Sequence, residues 1–299
     1  MKIIVAQDLD LNQIEKTELQ KLGTVKFYDD LAVTHDQWLE RCRDADIICT
    51  GKFGFKQKYQ ELNNVFISLP FVGTGFLDPE ILKRNNITVS RCPGCNKDAV
   101  SEWIIAMTLN LFRNLPHLIN NLEPITQRRP SLGLTGKIAT ILGPGNIGSR
   151  VGKILETLDM EVNYFNRNDN LLASTKNADL VINTLASNSE TEGLLDQDFF
   201  SSLKPGSFFV TVTGSKVWDV DALISAIDQD VLAGAAVDCG SIQVRDTQDP
   251  FYLKLAKHPK VLTTPHIAFN TDVTDRTSNK MMIENIVSYL SGKTINQVT

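Results

Sequence analysis

Charge blocks, membrane-length apolar runs, cysteine frameworks and clustered histidines are all missing from this sequence of 299 residues, and each absence removes a class of function. The 30 basic and 35 acidic side chains give a net charge of −5 and show no long run of either sign. Nucleic-acid footprints and membrane-surface patches both need concentrated charge, so neither partner is expected. No apolar stretch approaches the length of a transmembrane helix. The run Ile3-Ile4-Val5-Ala6 is too short for a secretory signal and reads as a buried strand. Five cysteines are an odd number in a long chain, which argues against a disulfide framework and for a reducing, cytoplasmic setting. Cys92 and Cys95 have C-x-x-C spacing, but without a second pair or nearby histidines two ordinary thiols are expected and no metal site. His35, His117 and His258 lack partner spacing and are expected at the surface. Neither a solenoid repeat nor a low-complexity tract is present.

What remains is an ordinary globular composition, 42% hydrophobic and 22% charged. The length exceeds what one hydrophobic core sustains, so two domains are expected. Strand-like runs at 2–6, 25–28, 46–50, 65–69 and 87–90 alternate with helical patterns, the first at 11–22. Such alternation predicts a parallel sheet with helices on both faces. A long helical stretch at 99–115 follows, and then a polar segment at 123–133 with two prolines leads into a new unit. Further strand-like runs at 138–142, 161–165, 180–184, 207–211, 234–237 and 261–263 give the pattern of a doubly wound nucleotide-binding domain.

Gly143-Pro144-Gly145-Asn146-Ile147-Gly148 stands between the first of these strands and a helix-forming run at 149–158. In that context the three glycines have separate tasks. Gly143 permits the tight turn, Gly145 lets the backbone approach a pyrophosphate, and Gly148 lets the helix pack closely on the strand. Free N–H groups at the helix start, including those of Asn146 and Ile147, then hold the anion. The next strand ends at Asn166-Arg167, where an NAD site carries an acid for the ribose hydroxyls. Asn166 has no charge, and Arg167 offers a fork for a 2′-phosphate, which favours NADP over NAD. The alternative is that Arg167 only faces water.

Past this point the sequence resembles the D-2-hydroxyacid dehydrogenases over nearly its whole length. The resemblance rests on Cys92-Pro93-Gly94-Cys95-Asn96 with Ala99-Val100-Ser101-Glu102, on Leu134-Thr135-Gly136-Lys137, and on 177–183 leading to Glu190-Thr191. Leu203-Lys204-Pro205-Gly206, Gly234-Ala235-Ala236-Val237-Asp238, Thr264-Pro265-His266, Glu284-Asn285-Ile286 and Gly292-Lys293 then follow in the family's order. It implies an α/β protein of two doubly wound domains. A Rossmann cofactor domain at 98–268 would sit within a smaller, flavodoxin-like substrate domain formed by 1–97 and 269–299. Substrate would bind in the cleft between them, and a homodimer would form through the cofactor domains. In the family a glycine-containing loop holds the substrate carboxylate by its N–H groups. Val72-Gly73 matches that loop, although an earlier glycine of the family is Phe71 here. Asp238 matches the residue that binds the nicotinamide amide, and Thr213 falls beside the cofactor.

The family reacts through an arginine, a histidine and a glutamate. His266 matches the histidine. The arginine's place falls on Gly214, in a register fixed by Asp219 and Leu223, and the glutamate's on Gln243, with Asp249-Pro250 as a rival for the acid. A guanidinium stabilises the negative charge that builds on a carbonyl oxygen, and losing one such donor costs on the order of a hundredfold or more in rate. A carboxylate beside a histidine favours the imidazolium that donates a proton, whereas glutamine only orients the ring. Lys52, just past a strand end, is the leading candidate for a compensating cation, with Arg91 and Lys216 behind it. The expectation is a hydride-transferring oxidoreductase acting on a small 2-hydroxy or 2-keto acid, or a related carbonyl compound, with altered catalytic residues. The alternatives are an NAD(P)-binding pseudoenzyme that signals or binds a partner, and a non-redox lyase or isomerase that keeps the cofactor as structure.

Overall fold

All strand pairing is parallel among the described residues of this computed structural model, which are 1–115, 118 and 131–298. His117 and the 123–130 part of the proline-containing segment lie outside the described residues. The chain divides into two compact units, Met1–Asn96 with Thr271–Thr299, and Lys97–Asn270.

In the first unit the elements run β1 (Lys2–Val5), α1 (Gln13–Leu22), β2 (Thr24–Phe27), α2 (His35–Cys42), β3 (Ile47–Cys49), α3 (Phe55–Lys58), β4 (Val65–Ser68), α4 (Pro79–Arg84) and β5 (Ile87–Ser90). They build a five-stranded sheet in the order β2-β1-β3-β4-β5, the flavodoxin-like order. Helix starts are written into the sequence. Asn12 and Glu15 form a capping box at α1, while Thr34 caps α2 and Asp78 with Pro79 caps α4. The central strands β3 and β4 are buried at every position, as expected for strands covered on both faces.

The second unit contains α5 (Lys97–Arg113), β6 (Ile138–Leu142), α6 (Asn146–Thr157), β7 (Glu161–Phe165), α7 (Leu171–Thr175), β8 (Leu180–Asn183), α8 (Gln197–Ser201), β9 (Ser207–Thr211), α9 (Val220–Asp228), β10 (Leu232–Asp238), α10 (Pro250–Ala256) and β11 (Val261–Thr264). Its six strands run β7-β6-β8-β9-β10-β11. A complete first Rossmann half would add a strand outside β7. Among the described residues none is there, because the segment 166–179 has room for one short helix and not for a crossover helix plus strand. The chain leaves β6 toward β7 on one side and returns to β8 on the other, so the switch point lies at the C-terminal end of β6, beside the glycine turn.

The last helix, α11 (Asp272–Leu290), returns the chain to the first unit. Phe66 stacks on its Tyr289 with ring centroids 4.0 Å apart. Ser68 Oγ donates to Met282 O at 2.8 Å, and Asn285 Nδ2 donates to Arg91 O at 3.0 Å.

Gly148 tests this packing. A Cβ there would stand 2.4 Å from Gly143 O and 2.8 Å from Thr184 Oγ1, the atoms that close the glycine turn. Gly148→Ala is expected to cost about 1–3 kcal/mol through overpacking against backbone, read as a lowered midpoint in chemical denaturation. An unchanged midpoint would show that the turn yields freely.

Candidate active site

The candidate residues of the second unit follow the C-terminal ends of parallel strands and therefore share one edge of its sheet. In open α/β sheets ligands collect at that edge. Gly143, after β6, has φ +88°, a left-handed value that glycine adopts without strain. Thr184 Oγ1 donates to Gly143 O at 2.7 Å and Gly145 N donates to the same oxygen at 2.8 Å, which fixes the turn. Gly145 is the N-cap of α6, and no side chain caps the helix. A Cβ on Gly145 would meet nothing within 4 Å. Protein packing thus demands glycine at 143 and 148 but leaves open space at 145, beside the first N–H groups of α6 at Asn146 and Ile147. That is the cradle a dinucleotide pyrophosphate needs, so these residues fit a nicotinamide coenzyme.

The end of β7 departs from the sequence expectation. Arg167 is ion-paired with Glu190, both of them exposed. Asn166 donates through its backbone N–H at 2.8 Å and its Nδ2 at 3.3 Å to Asp169 Oδ2. Arg167 is neither a bare phosphate fork nor merely solvated, and two carboxylates stand where none was expected.

His266 follows β11. Its Nδ1 lies 3.0 Å from the carbonyl oxygen of Ile242, and its ring meets Phe269 edge-on at 5.5 Å. A carbonyl only accepts, so Nδ1 carries a proton and the neutral ring keeps its lone pair on Nε2. The partner is a backbone atom and not a carboxylate. Gln243, expected to orient the ring, is exposed, and its side chain makes no hydrogen bond among the described residues. Asp249, the rival acid, accepts from Phe251 N at 2.8 Å as the N-cap of α10.

Asp238, at the end of β10, is 2% exposed. Its Oδ1 accepts from Thr264 Oγ1 at 2.6 Å and Ile267 N at 2.9 Å, and its Oδ2 accepts from Ala268 N at 3.1 Å. The carboxylate expected on the nicotinamide amide is therefore turned into its own loop, where it brackets His266. Thr213, expected beside the cofactor, is also turned inward, and its Oγ1 accepts from Asn183 Nδ2 at 2.8 Å.

Sequence reasoning missed Ser215 and Ser241. Ser215 N donates to Ser241 Oγ at 2.6 Å and the two hydroxyls are 2.9 Å apart, which ties the loop after β9 to the loop after β10. A Cβ on Gly214 would stand 3.0 Å from Ser241 Oγ. Two serines at otherwise unremarkable positions carry no signal before the loops are placed side by side. Lys216 is exposed and makes no ion pair among the described residues.

In the first unit, Lys52 follows β3 and its Nζ lies 5.4 Å from the centroid of the Phe71 ring. A Cβ on Gly73 would stand 3.8 Å from that Nζ. Desolvation against the loop, and then Lys56, draw the Lys52 pKa below its ordinary value. Arg91 Nη1 donates to Val72 O at 3.3 Å. The loop of Val72 and Gly73 therefore has a cation on either side, and neither cation is in an ion pair among the described residues. Cys92 and Cys95 are buried free thiols. Burial pushes the Cys95 thiol up to about 11 and Cys92 higher still, so neither is a ready nucleophile. No group of three or more metal-ligating side chains occurs among the described residues. His258 corrects the surface expectation, since it is half-buried with Nε2 3.2 Å from Asp228 Oδ1. His35 is also half-buried, against the Phe53 ring at 4.9 Å.

A family model described as "D-isomer specific 2-hydroxyacid dehydrogenase, NAD binding domain" matches residues 105–268. A D-lactate dehydrogenase of Staphylococcus aureus is 24% identical across 78% of this chain and 80% of its own length. D-3-phosphoglycerate dehydrogenase of Escherichia coli (strain K12) is 25% identical across 100% of this chain and 77% of its own. Among solved structures, an acyclic imino acid reductase (Bsp5) in complex with NADPH and D-Arg superimposes with a TM-score of 0.86. That pair is 22% identical, with 100% of both chains covered.

The carboxylate of Asp238 supports a direct test. Asp238→Ala strands three donors in a buried place, at roughly 1–3 kcal/mol for each one left unpaired. Unfolding free energy should fall by about 3 kcal/mol or more, and hydrogen exchange at Ile267 and Ala268 should accelerate. Unchanged exchange at those two amides would show that the loop is held by something else.

Proposed function

The chain belongs to the D-isomer specific 2-hydroxyacid dehydrogenase family, and we propose that it moves a hydride between NAD(P)H and a small 2-hydroxy or 2-keto acid, or a related carbonyl-type substrate, with His266 exchanging the proton. It is a nicotinamide-dependent oxidoreductase. The observation that carries the reading is His266 itself, fixed in one tautomer by Ile242 O on the same sheet edge as the open glycine turn. A protein that only bound the nucleotide would have no need of an imidazole oriented in this way.

When bound, the coenzyme supplies or takes up the hydride at its nicotinamide ring. The chain's own residues do the rest. The N–H groups of Asn146, Ile147 and Gly148 hold the pyrophosphate. Asp238 holds the 264–268 loop so that His266 keeps its place. The N–H groups of the Val72-Gly73 loop hold a substrate carboxylate, with Lys52 beside them as the cation. This reading has the chain working as a homodimer in the cytoplasm, and light scattering at micromolar concentration checks the dimer.

The coenzyme favoured is NADP, with NAD as the weaker alternative. A 2′-phosphate has to displace Glu190 from Arg167. An exposed pair contributes only about 0–1 kcal/mol, against roughly 1.5–3 kcal/mol for a hydrogen bond to a charged group, so the exchange runs toward phosphate. Fluorescence titration should give tighter binding of NADPH than of NADH. Arg167→Ala should narrow the gap, and Glu190→Gln should widen it severalfold. Equal or tighter binding of NADH by the wild type would sink this preference.

His266→Ala should lower turnover at least about a hundredfold, the usual range for a positioned proton donor, with coenzyme affinity nearly unchanged. Turnover that survives the substitution would assign the proton to water or to another group.

A further inference from the structure

The hydride-transfer reading leaves open which double bond is reduced, and the charges around His266 bear on it. Reduction of a ketone builds negative charge on oxygen, which calls for a cation or strong donors and for a protonated Nε2. Reduction of an iminium does the opposite, because a positive C=N group is discharged as the hydride arrives. A guanidinium about 4 Å from such a group would oppose its binding by on the order of a hundredfold or more.

The geometry fits the second case at each position. Gly214 presents no side chain, and its neighbours Ser215 and Ser241 are neutral hydroxyls already bonded to each other. His266 donates from Nδ1 to a carbonyl, and the neutral tautomer with that bond offers Nε2 as an acceptor, the partner an iminium N–H requires. Asp249, the rival acid, caps α10. Each of these features suits a cationic substrate better than a developing alkoxide.

We propose that this site reduces the C=N bond of a 2-imino acid, formed from a 2-keto acid and ammonia or a primary amine, in preference to the C=O bond of the keto acid. The proposal rests on the hydride-transfer reading and names its substrate class. Condensation of the keto acid with the amine releases water and gives the imine, which is protonated in water to the iminium. The iminium carbon then accepts a hydride from the reduced nicotinamide, the C=N π pair withdraws onto nitrogen, and a neutral amino group results while the nicotinamide is oxidised. No proton is required in the hydride step. The amine afterwards takes one by way of His266, whose Nε2 holds its N–H until release and relays the proton from water.

The test follows NADPH and NADH oxidation by the full-length wild-type protein. The probes are glyoxylate, pyruvate and phenylpyruvate, each alone and then with ammonium or methylamine. The expected result is a rate at least about tenfold higher with amine. The product should be an amino acid or N-methylamino acid that carries deuterium from coenzyme labelled at C4, identified by mass spectrometry. Equal rates with and without amine, yielding hydroxy acid, would overturn the proposal while leaving hydride transfer intact, and would point to Lys216 as the missing cation. Bound coenzyme that is never oxidised under any of these conditions would overturn both. Gly214→Arg supplies an independent reading, since its first new atom meets only the movable Ser241 Oγ. It should lower the amine-dependent rate about tenfold or more and raise the rate on keto acid alone. Gly214→Leu, which fills the space without charge, should lower the amine-dependent rate and give no such rise.

Discussion

Three donors from one loop converge on the carboxylate of Asp238, and the geometry of the second unit's sheet edge depends on that convergence. Thr264 Oγ1, Ile267 N and Ala268 N lie on either side of His266, so the loop is pinned at both ends around the imidazole. Desolvating a carboxylate is costly unless its lone pairs are filled, and here folding fills them only if the loop adopts this path. The path in turn sets His266 at φ +56°. From there its Nδ1 reaches Ile242 O, on the loop that Asp238 itself begins. Strand end, the 264–268 loop and the orientation of the His266 ring are one connected constraint.

The neighbouring loops are tied in by the same kind of economy. Asn183, fully buried at the end of β8, donates through Nδ2 to Thr211 and Thr213 and accepts from Leu185 N, which stitches the ends of β8 and β9 together. Ser215 and Ser241 join the loops after β9 and β10. Gly240 permits that approach, because a Cβ there would stand 3.3 Å from Val212 O. Asn183, Ser215 and Asp238 thus each face a polar atom of an adjacent loop, which joins the strand ends into one edge.

The sequence made the sheets legible because a buried parallel strand is a short, continuous apolar run and a helix start is a cap residue, and both signals are local. All eleven strands of the described residues fall on runs that can be picked out by eye, and the glycine turn declares itself because backbone conformation limits the residue choice at Gly143 and close packing limits it at Gly148. The strand order of the second unit was less legible. Nothing local says that 166–179 omits a strand, since the omission shows only when β8 is seen paired to β6. Side-chain partners were least legible of all. The bonds of Asp238 to its neighbouring loop and the pairing of Arg167 with Glu190 have no sequence signal, and the ring's partner is a backbone carbonyl that no side-chain motif could announce. Local rules report propensity, whereas these pairings are decided by which loops the sheet brings side by side.

That distinction also bears on the backbone around His266. Among the described residues nine non-glycine residues have positive φ, and seven of them are asparagine or aspartate, whose short polar side chains tolerate that region. The two exceptions are His266 and Arg245, and Arg245 N donates to the carbonyl of Pro265, the residue just before the histidine, at 2.8 Å. Backbone strain of this kind costs on the order of 1–3 kcal/mol per residue and persists only where surrounding contacts over-determine it. A nucleotide-binding scaffold gains nothing from imposing it on an imidazole. The strain sits on the imidazole, and a buried carboxylate with three partners holds it there. Relaxing this backbone would be favourable in itself, so its persistence means that the hydrogen bonds of Asp238 to 264–268 and of Arg245 N to Pro265 O outweigh that gain.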